Sequence, residues 1–159
     1  MKRHHFTLFL ILFINTILHA QGVASLFNQA SLLLDANQPK KTVAIYESIL
    51  QKEPKNYDAL VYLANYHYNL GQSVLDSVEL DFKNKRPLNS MHNAEYEKNL
   101  HKVYESYFKI SEAYLVCAYL IKPNDYLDKI AGDLAVFKNR IGLKTPQLKP
   151  LPFLKRRLL

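Results

Sequence analysis

The chain contains one cysteine, Cys117, so no internal disulfide framework can hold it together. That thiol lies in the apolar helical stretch Tyr114–Ile121, where a small buried core residue is the simplest role and an intermolecular bridge or reactive thiol is the alternative. There are only four glycines, and none builds a phosphate-cradling loop. HExxH and CxxC patterns are absent as well, so no metal and no cofactor is expected. The apolar run at the N-terminus, Phe6–Leu18, is short and is broken by Thr7, Asn15 and Thr16. It does not reach the roughly 20 residues that cross a bilayer. Acidic residues are missing altogether from Lys138 to the end, where seven basic ones stand.

These absences turn attention to the two ends. Lys2, Arg3, His4 and His5 precede the apolar run, and Ala20 supplies a small residue before Gln21. Residues 1–20 therefore have the three-part build of a secretory signal, and no cysteine follows that could carry a lipid anchor. Export to a periplasm or cell envelope is the expectation. The formal net charge is +7, yet Gln21–Phe137 holds 12 basic and 14 acidic residues. The positive excess belongs to the tail, not to a folded face, so no nucleic-acid partner is expected. The tail, residues 143–159, contains Pro146, Pro150 and Pro152 and cannot be helical through them. Its end mixes Leu151, Phe153 and Leu154 with Lys155, Arg156 and Arg157, which suits an anionic membrane surface or an acidic partner. A terminus kept soluble by charge, or folded back on the domain, is the plain alternative.

Between the ends the pattern is helical. Leu26, Ala30, Leu33 and Leu34 recur at helical spacing, and Asn37-Gln38-Pro39 forms a turn with the proline suited to the next helix's first turn. Val43, Tyr46, Ile49 and Leu50 stripe the second helix, which Pro54 stops. Asn56 and Asp58 suit the start of a third. A last helix is expected from about Asp125 to Ile141, with Leu127, Ile130, Ala131, Leu134 and Phe137 in register and Gly142 just beyond.

The segment Leu26–Gly71 resembles two units of the tetratricopeptide repeat (TPR), a helical hairpin with a period of about 34 residues. Ala30 takes the small position where paired helices cross, Tyr46 and Ile49 packing positions of the second helix, and Pro54 the closing proline. Leu60, Leu63, Ala64, His67 and Gly71 match the next unit, with Gly71 at the glycine between helices. Thr42 and His67 depart from the usual Ala and Tyr. Ser111–Asp125 resembles another second-helix ending, closing at Pro123, close to two periods after Pro54. A hidden degenerate repeat would put Glu95, Lys98, Asn99 and Lys102 at packing positions, all polar. A continuous helix carrying Leu100, Val103, Tyr104, Tyr107, Ser111, Tyr114 and Ala118 is preferred, paired with a third helix extended through Val74, Leu75, Val78 and Phe82. Lys83–Pro87 joins the two.

The expected architecture is thus all-α: TPR-like helical hairpins over residues 23–142, one of them an elongated antiparallel hairpin, closed by a C-terminal capping helix. The resemblance implies binding of a protein or peptide in a concave groove, without catalysis. It would place Phe27, Ser31 and Leu34 there with Val61, Asn65, Tyr68 and Asn69. Two asparagines one turn apart can hydrogen-bond an extended peptide. Basic residues that would clamp a terminal carboxylate are missing from these positions. Two alternatives belong to other classes: a membrane-peripheral or membrane-anchored protein acting through its basic tail, and an enzyme with an acid–base or metal site around His92 and His101. His101 and Glu105 are i,i+4 neighbours, for which a solvated helix pair is the simpler reading.

Overall fold

Six helices account for nearly all of the computed structural model, which describes residues 22–85 and 90–143. They are α1 (22–35), α2 (Pro39–Lys52), α3 (Tyr57–Asn84), α4 (Ser90–Val103), α5 (Lys109–Ile121) and α6 (Asp125–Arg140). A π-helical turn, Tyr104–Phe108, joins α4 to α5. No strand occurs among the described residues, and no described helix is long and apolar enough to cross a membrane. The protein has the expected all-α helical-hairpin fold. The expected signal and tail lie outside the described residues, apart from Leu143. The chain divides into two compact units between Asn56 and Tyr57.

The first unit is the hairpin α1–α2. Its turn closes locally: Asn37 adopts φ 51°, Gln38 N donates to Leu33 O at 2.9 Å and Asn37 N to Leu34 O at 2.9 Å. That pair of bonds satisfies the last carbonyls of α1, and a short polar residue tolerates the left-handed conformation. Pro39 then opens α2 at a position that needs no N–H donor. Ala30, Thr42 and Ile49 are wholly buried. Thr42 offsets the burial of its hydroxyl by donating to Gln38 O at 3.1 Å. Phe27 meets the ring of Tyr46 edge-on at 5.9 Å.

In the second unit α3 runs for 28 residues, about 42 Å at 1.5 Å per residue. It passes through Gly71 without a turn. Its partner is helical from Ser90 to Ile121 without a break, which leaves no place for a degenerate repeat's turn. Contacts descend α3 as they ascend the partner: Phe82 stacks on Tyr96 at 4.0 Å, Phe108 faces Gly71, and Ser111 donates to Ala64 O at 2.7 Å. The pair is therefore an elongated antiparallel hairpin. Lys83 and Asn84 still belong to α3, while Arg86 and Pro87 of the expected joining loop lie outside the described residues.

Gly71 does a different job from the inter-helix glycine of the resemblance. It is buried inside α3, and a Cβ added there would lie 2.5 Å from the Phe108 ring and 3.1 Å from Tyr107 Cβ. Glycine is needed because the facing helix comes this close. The π turn adjoins the same spot, where Lys109 N reaches Tyr104 O five residues back. Phe108, absent from the expected inward face, is wholly buried, whereas Tyr107 is half-buried.

The chain then turns at Pro123 and α6 covers the hairpin. Asn124 Oδ1 accepts from Leu127 N at 2.9 Å, and Asp125 and Asp128 complement the positive end of the helix. Leu127, Ile130, Leu134 and Phe137 are buried as their spacing predicts. Gly142, at φ 71°, stops the helix, with Leu143 N bonded to Lys138 O at 2.9 Å.

The two helical glycines of this unit should respond oppositely to alanine. Gly71→Ala is expected to cost about 1–3 kcal/mol through overpacking against a ring that cannot yield. Gly132→Ala, where an added Cβ meets nothing within 4 Å, should stabilise by about 0.5–1 kcal/mol through helix propensity. Chemical denaturation of both variants checks the pair of signs.

Candidate functional site

The groove residues of the first unit lie on one face of α1. Phe27 is held against Tyr46 and half-buried, Ser31 is exposed, and Leu34 keeps 43% of its surface accessible. Its spacing also puts Leu34 in the inward stripe of α1; the structure places it outside. Leu32, which the spacing does not single out, is more exposed still.

On α3 the groove residues are not waiting for an extended peptide. Asn65 Oδ1 accepts from Tyr126 OH at 2.5 Å and from Asn69 Nδ2 at 3.1 Å. Tyr68 OH donates to Asp133 Oδ2 at 2.7 Å. Burial, and next the bond to this carboxylate, push the Tyr68 phenol up to about 12. Tyr126 and Asp133 are seven residues apart on α6, two turns along one face. Val61 is half-buried and Asn69 exposed. The structure thus joins Asn65 and Tyr68 to the capping helix, with Asn69 bonded to Asn65, and the α3 pattern alone does not reveal these partners.

Beneath this latch lies a charge cluster that helical spacing misses. Lys138, in the last turn of α6, is only 1% exposed. Its Nζ donates to Glu112 Oε1 at 2.7 Å and sits 5.8 Å above the Tyr104 ring. Tyr104 OH donates to the other carboxylate oxygen at 2.9 Å. Its phenol is held well above the usual range, first by burial and then by the Glu112 bond. The cluster ties α6 to the π turn and to α5. Arg140 is also engaged, by Glu79 Oε1 at 2.7 Å and by Tyr96 OH. Two of the seven basic residues counted toward the C-terminal run are therefore structural. Lys155, Arg156 and Arg157 lie outside the described residues.

The histidine constellation does not assemble. Glu105 is paired with Lys109 at 2.5 Å, and His101 lies exposed beside a cleft of about 260 Å³ lined by Glu97, Leu100, Arg140, Ile141 and Gly142. His92 lines a separate small pocket near the end of the long hairpin with Phe82, Lys85, Glu95 and Tyr96. Among the described residues, no three His, Cys, Asp or Glu side chains come together as a metal site. Asp81, near the end of α3, is bridged by Lys85 at 2.9 Å.

The fold is shared with the crystal structure of a protein from Bacteroides ovatus described as a candidate protein-binding protein. The TM-score is 0.70 at 24% identity, over 75% of this chain and 58% of that one, so this chain spans under two thirds of its neighbour's length. No protein-family model and no curated protein sequence matches the chain.

Removing one half of the buried ion pair should be more harmful than removing both. Lys138→Met leaves the Glu112 carboxylate facing Tyr104 alone and is expected to cost about 2–4 kcal/mol. Adding Glu112→Gln, which still accepts from Tyr104, should recover most of that loss in a double-mutant cycle. Cys117, 1% exposed and with its thiol pushed up to about 11 by burial, should resist a thiol reagent in the native protein and react once denaturant unfolds it. Rapid native labelling would contradict the packing of α5.

Proposed function

We propose that this chain is a non-catalytic, TPR-like protein-interaction module, exported and serving as an adaptor or assembly factor of a bacterial cell envelope. The observation that carries the reading is the recurrence of one packing position. Ala30 and Ala64 stand one repeat period apart, and both are wholly buried. Such spacing is that of a repeat whose helices pack through small residues and leave their outer faces for partners. The Bacteroides ovatus protein of the same fold carries a protein-binding description, which agrees. The signal-like pattern of residues 1–20 supports export.

The structure changes which residues should be tested. Asn65 and Tyr68 hold α6, so altering them would loosen the fold and any binding surface together. Ser31 and Leu34 are exposed and tie nothing down that would be lost. A Ser31→Lys/Leu34→Asp variant is expected to keep the wild-type helical circular dichroism and to lose a partner that wild type captures from native envelope extract. Equal capture by the variant would remove the α1 face as the working surface and point to the long hairpin or the tail. Absence of any specific partner would deny the adaptor reading its support.

A further inference from the structure

Where α3 and α5 meet, the polar groups described above have partners: Ser111 has the Ala64 carbonyl, and Glu112 has both Lys138 and Tyr104. His67 is different. Its Nδ1 is withdrawn from solvent and no described group hydrogen-bonds to it. The ring lies nearly parallel to Tyr114 of α5, centroids 6.1 Å apart, and edge-on to Tyr66 of its own helix at 5.3 Å. It is one turn from Ala64, where Ser111 fastens the two helices.

A neutral imidazole fits this place as a flat aromatic piece. Its Nδ1 lone pair goes unused, at modest cost. Protonation would place an N–H and a positive charge where no acceptor stands. The titratable groups facing the ring are both phenols, Tyr66 from α3 and Tyr114 from α5, and a phenol carries no charge in the acid range. No carboxylate contributes to its electrostatics; burial alone lowers its proton affinity. The tyrosine faces could return some cation–π attraction. The ring is half-buried, but an N–H at its enclosed Nδ1 would be an unsatisfied charged donor, which costs more than such an attraction supplies.

We propose that His67 is an acid-sensitive fastener: the α3–α5 seam holds while its ring is neutral and loosens when the ring is protonated. This goes beyond the binding reading and does not depend on it. The sign follows from proton counting. An unfolded chain takes up the proton near the ordinary histidine value of 6.5, and the folded chain only at lower pH. Between those values the unfolded state binds more protons, so stability falls as pH drops below 6.5 and levels off beneath the folded value. Loosening at this seam would be felt two residues before and one after, at Asn65 and Tyr68, where α6 is latched.

The test compares thermal unfolding of the full chain at about pH 7.5 and 5.5, on either side of the histidine range, for wild type and His67→Phe. Phenylalanine keeps the ring contacts and removes the titration, while the other histidines act in both proteins alike. Wild type should lose several degrees more than the variant on acidification, of the order that about 1 kcal/mol produces in a domain of this size. An equally steep loss in the variant would overturn the proposal. If the variant does not fold, the assigned imidazole resonances of wild-type His67 decide it. A midpoint below that of free histidine, with faster amide exchange at Ser111 and Tyr114 over the same range, supports the fastener. A midpoint at or above the free value sinks it.

Discussion

The second unit depends on one close approach. The ring of Phe108 occupies the space that any side chain larger than hydrogen at position 71 would need. It is wholly buried there, tilted against Tyr68 of α3 at 6.1 Å and meeting Phe137 of α6 edge-on at 4.8 Å. One ring, carried by the π turn between α4 and α5, therefore touches both α3 and α6. Were the notch filled, α3 and its partner would have to separate by a good fraction of a ring's thickness. The Ser111–Ala64 bond, one turn from Phe108 along the partner and 2.7 Å long, would be stretched by that displacement. Packed interiors respond in this way because they have no slack.

From this point stability is graded along the long hairpin. Leu75 on α3 and Leu100 on α4 are the last fully buried residues toward its end. Beyond them the helices are joined by the Phe82–Tyr96 stack, by Lys85 with Asp81 and Glu95, and by Arg140 reaching from α6 to Glu79 and Tyr96. Exposed ion pairs of this kind contribute little individually. The outer hairpin is thus the part of the unit best able to open locally without loss of the core, which is the usual condition of segments that adapt to partners. The buried Lys138–Glu112 pair beside the π turn has the opposite character: costly to desolvate, it tolerates few arrangements and so specifies how α6 sits.

Of the candidate groove residues, only local placement was legible. Ser31 and Leu34 lie on an exposed face of α1. On α3 the same logic picks out Asn65 and Tyr68 correctly as polar positions on one face, but α6 meets that face and takes their hydrogen bonds. Nothing within α3 distinguishes a face left for a partner from one covered by a helix far later in the chain. Lys138 is a similar case: its place in the last turn of α6 is a local fact, and its burial against Glu112 is not.

What the sequence determined by itself is what neighbouring residues settle among themselves. Asn37 and Gly142 end helices in the left-handed conformation, Pro39 begins one, Asn124 caps another, and the unbroken run after Asn93 predicts a long helix. Each depends on hydrogen bonds or backbone preferences spanning a few residues, so spacing alone carries the information. The tertiary structure decided the rest: that Gly71 is a notch and not a turn, that a π turn brings Phe108 into it, and that α6 covers the polar face of α3. These outcomes turn on steric fit and desolvation between segments far apart in the chain. Such terms have no value until the helices are in contact.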